Sequence, residues 1–166
     1  MKQDLLGIAE QGKTLLLKIA VFIIGITILI LSIYWLPWQA NVLAEMYPEF
    51  IYLKYPLLVG IYLTTIPFFF ALYQSLKLLS FIDKNTAFSR SSVKSLNDIK
   101  CSGITIIILY GIGIITLITQ DAGNPGILLI GLVIMFVTVM ISLFAAILQN
   151  LLKNAIAIKS ENDLTI

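Results

Sequence analysis

Eleven lysines and arginines, nine aspartates and glutamates, one cysteine and no histidine make up the reactive inventory of this 166-residue sequence. Without an imidazole there is no histidine-ligated haem, none of the commonest zinc arrangements and no histidine general base. Cys101 stands alone, so it forms neither an internal disulfide nor a thiolate cluster. It reads as an inert thiol beside an apolar run, with acylation as the functional alternative. Glu45 and Glu49 are the carboxylates an enzyme would use, and neither has a visible catalytic partner. No phosphate-cradling glycine loop or nucleophile elbow occurs, and the basic residues come without base-stacking aromatics, which argues against direct nucleic-acid binding. The expectation is a non-enzyme with no cofactor and no metal.

The elements that carry these groups are apolar and long. Four runs, Leu15–Leu36, Leu57–Leu79, Ser102–Thr119 and Ile127–Leu152, dominate a chain that is 59% hydrophobic and 12% charged, with a mean hydropathy of +0.98. Soluble domains carry about a quarter charged residues. About 20 apolar residues at roughly 1.5 Å each cross a hydrocarbon core of about 30 Å, where every backbone group must be satisfied within its own helix. Composition therefore predicts an all-α, integral membrane four-helix bundle, one domain over residues 1–166, with the lipid bilayer as its first partner. Ten of the eleven basic residues precede or begin the first run, surround the connection between the second and third, or follow the fourth; Lys54 is the exception. By the positive-inside rule both termini and the Ser80–Cys101 connection are expected in the cytoplasm, and the protein in the bacterial inner (cytoplasmic) membrane. Val42 and Ala44 could pass for a signal-peptidase site, but the first run is about twice the usual length of a signal core and reads as a retained anchor. No charge lies deep within a run, as pumps and coupled transporters require.

Tyr34, Trp35, Trp38, Tyr47, Tyr52 and Tyr55 form an aromatic belt at the less basic end. Asn41–Tyr55 is too short to cross and is expected to lie in the interface as a short helix broken at Pro48. Pro67 predicts a kink near Thr64. Asp121–Gly126 has the residues of a tight turn, making the last two helices an antiparallel pair. The final run, about 39 Å long as a helix, must tilt or project. Small-residue spacings, Ser142 with Ala146 and Gly60 with Thr64, leave close helix approach and homo-oligomerisation open.

In the basic connection, Phe81–Asn85 reads as a helix end and turn, Ser89 as the N-cap of the next helix, and Phe88 with Val93 as a hydrophobic staple. Val93, Leu96 and Ile99 continue an apolar face, with Lys94, Asn97, Asp98 and Lys100 on the remainder. These residues, with Ala87, the turn Asn124-Pro125-Gly126 and the ending Lys159–Thr165, resemble a family of small bacterial four-span membrane proteins, domain of unknown function 2975. Many relatives have glycine and proline where this chain has Thr86 and Ala87. The resemblance implies no assigned catalysis and, because the genes of many relatives lie beside one for a helix-turn-helix transcription regulator, a regulatory or interaction role with that regulator as partner. The candidate docking residues are Phe88, Ser89, Val93, Leu96 and Ile99, with Glu161, Asp163 and Leu164 of the tail. The alternative is a protective or transport protein that binds an apolar or peptide compound.

Overall fold

A computed structural model describes the backbone of residues 2–164 and the side chains of residues 12–162. Every regular element in it is helical: α1 (Lys2–Ile30), a π turn (Leu31–Trp35), α2 (Leu36–Met46), a 3-10 segment (Pro48–Leu53), α3 (Lys54–Asp83), α4 (Arg90–Thr119) and α5 (Pro125–Leu164). Among the described residues, four helical stretches are long and apolar enough to cross a membrane. Their packing follows chain order: α1 lies on α3, α3 on α4, and α4 on α5.

The burial pattern is the inverse of a soluble core. Large apolar side chains such as Phe22, Ile66, Leu129, Phe136 and Phe144 are more than 60% exposed. Among the described residues, Ser92 and Ser95 are sealed below 2%, and Thr14, Thr64, Gln74, Ser102, Ser142 and Gln149 are also buried. Lipid is as apolar as leucine, so helices in it associate through small residues and interhelical polar bonds rather than by hiding hydrocarbon.

The first helix does not stop at Leu36 as its apolar run suggests; it continues as α2 to Met46. Pro37 explains how. Proline has no N–H to give and its ring clashes with the preceding turn. The chain answers by widening to a π turn, in which the Leu36 N–H reaches back to the Leu31 carbonyl. The Ser32 carbonyl is thereby passed over, since its α donor is diverted and its π donor would be Pro37. Tyr62 of α3 fills the gap, its hydroxyl donating to Ser32 O at 2.9 Å. Tyr62→Phe is therefore expected to leave a carbonyl unpaired in the apolar zone and to cost about 1 kcal/mol, read as a lower melting temperature in detergent. Pro37→Ala should remove most of that penalty, because a regular helix would pair Ser32 again.

Asn41–Tyr55 is consequently not a separate interfacial helix. It is the end of α2, a break at Tyr47, whose φ is −131° ahead of Pro48, and a 3-10 segment that turns Leu53 inward. This segment spans to the α4–α5 hairpin: the Tyr52 hydroxyl donates to Gln120 Oε1 at 2.9 Å, and Asn124 Nδ2 donates to the Tyr47 hydroxyl at 3.2 Å. Helix α3 runs unbroken through Pro67, with the Thr64 and Thr65 hydroxyls both donating to Ile61 O. Both α3 and α4 end in a left-handed residue, Asn85 (φ 55°) and Asp121 (φ 53°). In each case the next N–H reaches five residues back, Thr86 to Phe81 O and Ala122 to Leu117 O, closing a Schellman turn.

Candidate functional site

The chemistry gathers at the basic end, where α3 and α4 turn around Lys84–Ser89. Ser89 is extended (φ −135°, ψ 156°) and its hydroxyl accepts the Ser92 N–H at 3.3 Å, so the sequence-read N-cap is made. Ser89→Ala is expected to cost about 1 kcal/mol and to speed amide exchange in the first turn of α4 more than elsewhere.

A polar layer one to three turns inward joins three helices. On one side of α4, Gln74 of α3 donates its amide to the Asp98 carboxylate at 3.1 Å. On another, Gln149 of α5 accepts from Lys100 Nζ at 3.1 Å and donates to Asn97 Oδ1 at 3.2 Å. Asp98 and Lys100 are two residues apart and cannot face each other on a helix. Each charge is met instead by a glutamine of the neighbouring helix. Asn97 also turns its amide toward Cys101 Sγ at 3.7 Å, and Cys101 is exposed. At the same end Asp83 accepts from both Lys18 and Thr14, tying α1 to α3; Lys18 and Asp83 are half-buried and Thr14 is buried.

Sequence patterning misses this layer. Asn97, Asp98 and Lys100 read as the polar side of an amphipathic turn, yet their side chains bond to α3 and α5. The available signal was Gln74, an amide inside an otherwise apolar run, which needs a partner there. A Gly103–Ser142 contact is also invisible in sequence: a Cβ at Gly103 would lie 2.0 Å from Ser142 Oγ.

The docking residues separate into groups. Phe88 is 67% exposed, Val93 and Ile99 are intermediate, and the Ser89 hydroxyl is engaged as the cap. Leu96, at 5% exposure, turns inward and is a core residue, because the face toward α4's neighbours takes it together with Ser92 and Ser95. Glu161 is exposed. The side chains of Asp163 and Leu164 lie outside the described residues, although the backbone there is helical, so the tail continues α5. Three or more metal-binding side chains do not cluster among the described residues.

Residues 38–166 match the family described as "Protein of unknown function (DUF2975)". The chain belongs to the DUF2975 family. It is 52% identical over 159 residues to the "Uncharacterized membrane protein YoaS" of Bacillus subtilis (strain 168), covering 95% of this chain and 99% of that protein. No solved structure matches. With four apolar helices, this DUF2975 member is a multi-pass membrane protein.

Proposed function

We propose that this DUF2975 protein is a regulatory interaction protein that holds a cytoplasmic helix-turn-helix transcription regulator at the bacterial inner membrane. The basic end would face the cytoplasm, as its ten lysines and arginines favour. The observation that carries the reading is the continuation of α5 as helix to Leu164, beyond the apolar stretch that ends near Leu152. The short connection from Thr119 to Pro125 and the bond between Asn97 and Gln149 together set α4 and α5 antiparallel, so the first turns of α4 lie alongside this projecting stretch. Phe88 and Ile158, 67% and 68% exposed, place two large apolar side chains at this end. Apolar surface rimmed by charge in water is a common mark of a protein contact. The choice of a regulator as occupant rests on the family resemblance.

Affinity purification from native membranes tests the proposal. The regulator should be recovered with the full chain, and Phe88→Ser with Ile158→Ser should release it to the soluble fraction while the variant still inserts. Recovery of no regulator, or unchanged regulator localisation in that variant, would refute it.

An apolar groove of about 300 Å³ between α1 and α3, lined by Val21, Phe22, Gly25, Leu72, Tyr73 and Leu76, supports a second reading. It suits a compound with a hydrocarbon body, in keeping with a protective or transport role. That reading expects altered sensitivity to membrane-active compounds on scrambling Asn41–Tyr55, with no effect from Phe88 or Ile158.

A further inference from the structure

Gln74 presents a problem that the fold leaves open. Its side chain is 6% exposed, its Nε2 is committed to Asp98, and its Oε1 is buried with no hydrogen-bond partner. Rotating the amide does not help, because the carbonyl would then face the carboxylate, acceptor against acceptor. An unsatisfied buried carbonyl costs about 1–3 kcal/mol, and such groups in native proteins call for an explanation.

Asp98 is in a matching position. Gln74 is the side-chain partner of its carboxylate, and that partner is neutral. The nearby cations are turned elsewhere: Lys100 bonds Gln149, Lys77 sits 5.9 Å from the centre of the Phe81 ring, and Lys94 is exposed. Ser95 and Ser102, at i−3 and i+4 from Asp98, flank it on α4 with exposures of 1% and 5%. The Ser102 hydroxyl donates to Asp98 O, which leaves its lone pairs free to face a ligand. The result is a set of oxygen acceptors carrying one formal negative charge at the α3–α4 junction, with Gln74, Ser95 and Ser102 buried and Asp98 half-buried.

We propose that Gln74 Oε1 and the Asp98 carboxylate, with hydroxyl oxygens of Ser95 and Ser102, form a binding site for a small monovalent cation such as sodium. Hard cations take carboxylate, carbonyl and hydroxyl oxygens. One carboxylate neutralises one positive charge, so a monovalent ion leaves the site without net charge, whereas a divalent ion would leave a positive excess. Gln74 Nε2 bonds the Asp98 carboxylate at 3.1 Å, so the carbonyl of the same amide lies at the same α3–α4 junction as the carboxylate. The bound ion would fasten α3 to α4 just inside the basic end and make that junction sensitive to ion supply.

The test is thermal unfolding of the full chain in detergent at constant ionic strength, in sodium, potassium, lithium or choline chloride. Sodium at a concentration well above Kd should raise the melting temperature by about 4 °C or more over choline. Asp98→Asn, which keeps the side chain's shape, should abolish the difference, and so should Gln74→Met. Sodium-23 line broadening by the unmodified protein gives a second readout that depends on no variant folding. Equal melting temperatures in all four salts, or a sodium shift that persists in Asp98→Asn, would overturn the proposal. A shift with pH that is indifferent to the cation would replace it with protonation.

Discussion

Gly103→Leu is expected to destabilise the protein by about 3 kcal/mol, the upper part of the range for forcing volume into a packed interface. Even the first added carbon would meet Ser142 Oγ at 2.0 Å, Ser142 Cβ at 3.3 Å and Thr138 Cγ2 at 3.6 Å. The Ser142 hydroxyl is held by its bond to Thr138 O at 2.8 Å, so it can move aside only by giving that up. Three further carbons have no such escape, and α4 must separate from α5. Gly103→Ala is the graded version, expected near 1 kcal/mol. Ser142→Ala removes the offending oxygen and loses only a bond to its own helix, a small change by itself. The double variant Gly103→Ala with Ser142→Ala should therefore recover most of the loss. Such non-additivity, measured by unfolding titrations in mixed micelles, identifies a direct contact. Simple addition of the two single effects would show that the interface is looser than described.

Gln149→Leu is expected to cost about 2 kcal/mol, toward the top of what interhelical polar bonds contribute in membranes, because one partner is a charge. The substitution keeps nearly the same volume at a site that is 5% exposed. It removes the acceptor for Lys100 and the donor to Asn97 together. Most of the loss comes from the ammonium left half-buried without a partner. The same change made in a Lys100→Met background should therefore cost about half as much. A cost unchanged by Lys100→Met would mean that packing around residue 149, rather than the charge, sets the penalty. The prediction for Gln74 differs in kind, since its replacement also removes the proposed cation site and its effect should depend on the salt present.

Some of this was legible residue by residue. Ser89 announces a helix start, because a short hydroxyl on an extended N-cap residue satisfies an orphan N–H of the first turn. Asn85 and Asp121 fall where helices must stop, and both tolerate the left-handed conformation found there. Pro37 was less legible. A proline after an apolar run ordinarily marks an end, but a π turn and a tyrosine from another helix let the chain continue. The partners of Asn97, Asp98 and Lys100 are hidden in the sequence for a related reason. A polar stripe at helical spacing looks the same whether water or a neighbouring amide receives it, and only Gln74 and Gln149 distinguish the two. Leu96, placed on a docking face by its period, is in the core because α4 has neighbours on two sides.

Run length, hydropathy and the distribution of lysine were sufficient for four membrane-crossing helices and for a basic and an aromatic end. Those properties depend on transfer of each helix between water and lipid, which every residue influences through its own type. Which helix lies against which, and through what atoms, required the assembled structure. In lipid there is no general apolar attraction to choose partners, so the choice falls to a few small and polar residues: Gly103 with Ser142, Gln74 with Asp98, Gln149 with Lys100, Tyr62 with Ser32. Each of those pairs is separated by at least 24 positions in the chain, and nothing in the local pattern around either member specifies the other.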